Sequence, residues 1–156
     1  MKELIHYVLR FILMVAIIIT CFRLYKNGTK ITLNTNDHSM DPKAYTPGDS
    51  YKINTSFLKL DQFKKGDVVA YGVPNQSDQR RIARVVALQG QIVEVKAKGL
   101  WVDGEAVSYA FEKEQRLPPF RIPRGCIFVL ADIPNTGLDS LQLGPLPVYA
   151  LIGKLD

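Results

Sequence analysis

Cysteine and histidine are scarce in this chain, two of each in 156 residues: Cys21 and Cys126, His6 and His38. No cluster of ligands surrounds them, so no metal site is expected, and nothing calls for a cofactor. Cys21 lies in an apolar N-terminal segment and Cys126 opens the run Cys126-Ile127-Phe128-Val129-Leu130. The two are therefore not expected to pair, and Cys126 reads as a small buried hydrophobe. Also missing is any dense basic run interleaved with aromatics, which argues against nucleic acid as a partner. The net charge is +5, and beyond residue 25 there remain 17 basic against 14 acidic residues, a net of +3. That describes a mildly basic soluble domain, or one lying against anionic lipid. Repeats and low-complexity stretches are absent. The length suits one domain with a real core and is too short for two of ordinary size.

Helical periodicity is almost absent beyond residue 30. Ser50–Thr55 alternates, Asp67–Tyr71 is a short apolar run, and Arg81–Leu88 and Gln91–Val95 flank a Gln89-Gly90 turn. Trp101–Val107 reads as a hairpin, because Asp103-Gly104 accepts the positive φ angles of a tight two-residue turn. Cys126–Leu130 and Val148–Lys154 are two further strands. Prolines 118, 119, 123, 134, 145 and 147 predict loops in the C-terminal half. Residues 104–125 are the least orderly, with Glu112–Arg116 expected as a solvated loop or short helix. The fold class is mainly β: a compact antiparallel β domain over residues 27–156, behind an N-terminal anchor at residues 1–26.

The anchor rests on Phe11–Phe22, apolar except for Thr20. Twelve helical residues reach only about 18 Å, against a hydrocarbon core of about 30 Å. Extension to Leu4–Tyr25 supplies the length but takes in His6, Arg10 and Arg23, whose long side chains can reach the headgroups. No small-x-small cleavage site follows the run, so a retained single-pass transmembrane helix is preferred to a cleaved signal peptide. Thr20 and Phe22 suit lipidation of Cys21 poorly. Lys2 and Arg10 flank one end while Arg23, Lys26 and Lys30 flank the other, so charge alone does not orient the span.

Several motifs together resemble those of the type I signal peptidases, membrane-anchored serine–lysine proteases. Ser39-Met40-Asp41-Pro42, followed by Gly48-Asp49, resembles the nucleophile box, with Lys43-Ala44 and one extra residue where the family has Thr-Leu. Lys65–Tyr71 resembles the Gly-Asp-Ile-Val strand, and Arg84–Gly90 the stretch after the catalytic lysine. Trp101-Val102-Asp103-Gly104 resembles the aromatic-x-Asn-Gly hairpin. Asp132 to Ser140 resembles the terminal box, keeping Asp132, Asn135 and Asp139-Ser140. The resemblance implies a membrane-bound protein whose β domain lies on the extracytoplasmic side and whose partners are secretory precursors or signal-peptide-like segments.

It also implies residue roles, and here the chain departs from the pattern. Ser39 takes the nucleophile position, with Met40 beside it. A serine hydroxyl is a poor nucleophile until a positioned base takes its proton, and the position of the base lysine is Ala83. Arg81 and Arg84 cannot substitute, since guanidinium stays protonated. The serine that orients the lysine falls on Gly137, and the arginine after Asp139-Ser140 falls on Leu141, so Asp139 loses its usual partner. The oxyanion-supporting residue two before the nucleophile is Asp37, whose carboxylate would repel a developing oxyanion. Replacement bases would be Asp37 or Asp41 on the Ser39 face, or Lys43 or Lys52 swinging in. His38 should point the other way. Two functions remain: a non-catalytic relative that binds extended segments by strand addition, or an active peptidase with a non-standard base.

Overall fold

The computed structural model describes residues 2–26, 29–33, 37–55, 60–73, 76–97, 99–111 and 114–155. Helix α1 (Lys2–Lys26) leads into strands β1 (Thr29–Thr32), β2 (Ser50–Asn54), β3 (Val68–Val73) and β4 (Gln76–Ala87). These are followed by β5 (Ile92–Lys96), β6 (Gly99–Val102), β7 (Glu105–Ala110), β8 (Leu117–Arg121) and β9 (Cys126–Leu130). A one-turn helix α2 (Ser140–Leu143), β10 (Leu146–Pro147) and β11 (Leu151–Leu155) complete the chain.

The strands form a seven-stranded sheet in the order β1-β2-β11-β3-β4-β9-β10 and a four-stranded sheet in the order β7-β6-β5-β8. Every strand pair is antiparallel. The expected antiparallel β domain is therefore present. Alternation along β3 and β4 divides their side chains between two faces. Val69, Tyr71, Ala83 and Val85 pack with Ile127 and Val129 of β9 on one face. Val68, Ala70 and Ile82 pack with Ile31, Met40 and Ile53 on the other. A third apolar layer joins the small sheet to β4 and β9 through Val93, Val95, Leu100, Ala87 and Phe128.

The hairpin at Asp103-Gly104 forms as its chemistry dictates: φ is 53° at Asp103 and 83° at Gly104, and Val102 pairs with Glu105 across the turn. Asp103 also staples the turn to β5, accepting the Ile92 N–H at 2.8 Å and the Gln91 amide at 2.6 Å.

Four expectations need correction. Pro118 and Pro119 lie in strand β8 rather than in a loop. Proline lacks the N–H a central strand must donate, but β8 is an edge strand with a register shift where it passes β5. Strand β11 starts at Leu151, because Val148–Ala150 forms a 3-10 turn after Pro147. Residues 104–125 hold two strands, although Glu112 and Lys113 of the expected polar loop lie outside the described residues. Cys126 is half-buried rather than buried.

The N-terminal segment is helical, with the side chains of Tyr7, Phe11, Leu13, Ile18 and Phe22 exposed. Among the described residues, no helix is long and apolar enough to cross a membrane.

Candidate active site

The segment around Ser39 is extended and then turns. Asp37 and Ser39 are buried while His38 between them is exposed, the alternation expected of an extended chain. Met40 is 3% exposed and packs among Ile31, Ile53, Val68, Ala70 and Ile82, which fixes Ser39 from the core side. Asp41 then closes a turn: its carboxylate accepts the Lys43 N–H at 3.0 Å and its carbonyl accepts those of Ala44 and Tyr45. Aspartate followed by proline is suited to starting such a turn. Asp41 is thereby committed to local structure and exposed, as are Lys43 and Lys52.

The Ser39 segment is tied to the chain after β9. Ile133 donates its N–H to the Ser39 carbonyl at 3.0 Å, and the Asp41 N–H donates to Asp132 Oδ2 at 3.4 Å. Asp132 is held by the guanidinium of Arg84 through two parallel bonds, Nε to Oδ1 at 2.7 Å and Nη2 to Oδ2 at 2.8 Å. Such forked pairing fixes geometry as well as charge. Arg84 Nη1 reaches the Gly66 carbonyl at 2.9 Å, so β4, the Lys65-Gly66 turn and the post-β9 loop are locked together.

Gly137 comes directly against Ser39. A Cβ built on Gly137 would lie 3.1 Å from Ser39 Cβ and 3.8 Å from its Oγ. The absence of a side chain at 137 is what permits this approach.

Asp139 and Ser140 serve the scaffold. Asp139 caps α2, accepting the Leu141 N–H at 2.9 Å, and its other oxygen accepts the Ala131 N–H at 3.1 Å. Gln142 completes a capping box by accepting the Asp139 N–H at 3.0 Å. Backbone donors thus stand where a cationic side chain was expected to be missed. Burial pushes the Asp139 carboxyl above its ordinary range, against the opposing pull of those two N–H groups. Ser140 Oγ accepts the Val129 N–H at 3.0 Å, fastening α2 to β9.

Ala83 is 1% exposed, opposite Val69 in the β3–β4 pair, within the apolar layer that includes Tyr71. Two residues earlier on β4, Arg81 approaches Asp37: Nη1 to Oδ2 is 3.6 Å. The other oxygen of Asp37 accepts the Ser39 backbone N–H at 3.1 Å. The Ser39 hydroxyl, by contrast, has no hydrogen-bond partner among the described residues. Tyr71 donates its hydroxyl proton to the Leu138 carbonyl. Burial, then Asp139, raises the pKa of that hydroxyl, with Arg81 opposing and Asp37 adding to the rise. Ser39, Asp37, Arg81, Tyr71, Gly137 and Asp139 are therefore one neighbourhood. In the sequence Arg81 stands out only as an unsuitable base. Its place on the Ala83 face was readable from the two-residue spacing.

A cavity of about 550 Å³ opens two residues beyond Ser39, lined by Asp41, Pro42, Lys65, Arg84, Tyr109 and Asp132 among others.

Residues 1–156 match the family described as signal peptidase, peptidase S26. The chain belongs to the signal peptidase S26 family. It is 36% identical over 98 residues to the probable signal peptidase I-1 of Synechocystis sp., covering 56% of this chain and 50% of that protein. It is also 36% identical over 76 residues to thylakoidal processing peptidase 1 of Arabidopsis thaliana, covering 47% of this chain and 22% of that one. The chain thus spans half of the first relative's length and about a fifth of the second's. A crystal structure of a signal peptidase I from Enterococcus faecalis V583 superposes with a TM-score of 0.52 at 20% identity, covering 63% of this chain and all of that one. That likeness concerns the fold. Within this signal peptidase S26 domain, the Ser39 hydroxyl has no hydrogen-bond partner among the described residues, and its backbone N–H donates to Asp37.

Proposed function

We propose that this protein binds extended, signal-peptide-like segments of secretory precursors and is catalytically impaired. The observation that carries the reading is the state of Ser39. Its Oγ is buried with no hydrogen-bond partner among the described residues, and its N–H is given to Asp37. Acyl transfer needs a base within hydrogen-bond reach of the hydroxyl and donors aimed at the developing oxyanion. Ala83 supplies no base, and Asp37 holds the donor. Recognition by strand addition needs backbone groups rather than a base, so binding can persist without cleavage. In this reading Ser39 and Ala83 mark the nucleophile and lost-base positions, while Met40, Asp132, Asp139 and Ser140 support them.

The same proposal places the protein at a membrane. In this proposal helix α1, whose apolar run falls short of a full span, serves as the single-pass anchor through its exposed apolar side chains, residues 27–156 are the β domain, and the extracytoplasmic side is where family relatives would meet exported precursors. The alternative is an active peptidase using Ser39 with a non-standard base; the burial of Asp37 beside Ser39 is the observation in its favour.

The full-length protein in detergent separates the two. Incubated with a signal-peptide substrate, the wild type and Ser39→Ala should leave it intact, while Ala83→Lys should begin to cleave it. Cleavage by the wild type that is lost in Ser39→Ala would establish the alternative.

A further inference from the structure

Among the described residues, the buried side-chain polar atoms without a hydrogen-bond partner are Ser39 Oγ and Arg81 Nε. Both belong to residues that meet the same carboxylate, that of Asp37. Native proteins rarely leave buried donors unused, and their concentration at one point needs a cause.

We infer that the Ser39–Asp37–Arg81 cluster is a binding site for the free C-terminal carboxylate of an extended peptide, and that Asp37 stands in for that carboxylate when no peptide is bound. This deepens the binding reading above and rests on it.

The chemistry of the cluster favours a carboxylate. Arg81 offers only donors, the Ser39 N–H is a donor, and the Ser39 hydroxyl can donate. The acceptor they surround is the internal carboxylate, and it is poorly gripped. Arg81 Nη1 lies 3.6 Å from Asp37 Oδ2, whereas Arg84 holds Asp132 at 2.7 and 2.8 Å through two parallel bonds. A charge-assisted N–H···O bond is normally about 2.7–2.9 Å. Arg81 therefore has an unused Nε edge, the edge through which guanidinium grips a carboxylate in a fork.

The surroundings favour a peptide end over a small inorganic anion. The Ala83 methyl lies two residues along the same strand face, and Tyr71 and Leu138 belong to its apolar layer. Gly137 presents no side chain against Ser39. A chain end carrying a small apolar residue suits that wall better than a fully hydrated phosphate does. Asp37 and the peptide carboxylate compete for Arg81, so neutralising Asp37 should strengthen binding.

The test uses the full-length protein and fluorescein-labelled hexa-alanine, once with a free C-terminal carboxylate and once as the amide, read by fluorescence anisotropy. The acid should bind at least about tenfold more tightly than the amide. Asp37→Asn should tighten acid binding without changing that of the amide. Arg81→Gln should erase the difference between them. If Arg81→Gln does not fold, as judged by circular dichroism, Arg81→Lys takes its place, keeping the charge but losing the fork, and should narrow the difference. Equal binding of acid and amide, or a difference that substitution of Arg81 leaves undiminished, overturns the inference while leaving peptide binding intact. Absence of binding by either form overturns both. Hydrolysis of the peptide, followed by mass spectrometry, would instead overturn the non-catalytic reading.

Discussion

The carboxylate of Asp37 accepts the backbone N–H of Ser39 at 3.1 Å, so that donor is engaged from within the chain. The same carboxylate faces Arg81. One side chain thus engages both the backbone donor of the serine and a guanidinium on β4.

Restoring a base alone should therefore give weak activity. A double variant, Asp37→Gly with Ala83→Lys, frees the Ser39 N–H as well. It should exceed Ala83→Lys in kcat by about 10²–10³, the usual weight of one oxyanion donor. Equal rates for the two variants would show that Asp37 does not obstruct the donor. Asp37→Gly should also lower stability by about 2–4 kcal/mol in urea unfolding, since it strands Arg81 in a partly buried place.

Close backbone packing gives a graded pair of substitutions. Gly137→Ala brings a Cβ to 3.1 Å from Ser39 Cβ, a contact that a small shift of the loop relieves. Gly153→Ala would put a Cβ 2.8 Å from the Asn54 carbonyl oxygen, within the paired strands β2 and β11. We expect about 1 kcal/mol of destabilisation for the first and about 3 kcal/mol for the second by denaturant titration. The reverse order would mean that the site loop is the more rigid of the two.

Asp139 carries the pH dependence. Its carboxyl is raised above its ordinary value of 3.8 chiefly by burial, so the folded state holds the proton more tightly than the unfolded chain does. The resulting stabilisation is fully present below the unfolded pKa and is lost as pH rises through the raised folded value. Asp139→Asn removes this titration at the fixed cost of a weakened α2 cap. The Tm advantage of wild type over Asp139→Asn should therefore shrink between about pH 3 and pH 7. An advantage that grows over that range would mean the two N–H bonds outweigh burial.

Much of this is legible in the sequence itself. The alternation of buried Asp37 and Ser39 around exposed His38 follows from strand geometry, and the Asp103-Gly104 hairpin from the φ angles its residues tolerate. The strands with long apolar runs were readable for the same reason. Strand β8 was hidden because the proline rule speaks for central strands, and nothing local marks an edge. The approach of Gly137 to Ser39 came only through family resemblance, since a glycine carries no chemistry that announces its neighbour. The Arg81–Asp37 pair needed the fold: alternation assigned Arg81 its face, but only the sheet order says what that face meets.

Strand β8 has a consequence for the molecule in a crowd. A sheet margin normally offers a row of N–H donors to which another chain can attach. Successive N–H groups of a strand point to opposite sides, so one of the adjacent Pro118 and Pro119 removes a donor from the outer margin of the four-stranded sheet and the other a donor toward β5, where the pairing is irregular. That margin is a poorer template for growth than the opposite one, at β7. Such asymmetry gives an added strand a preferred side to dock and discourages two copies from zipping together through β8.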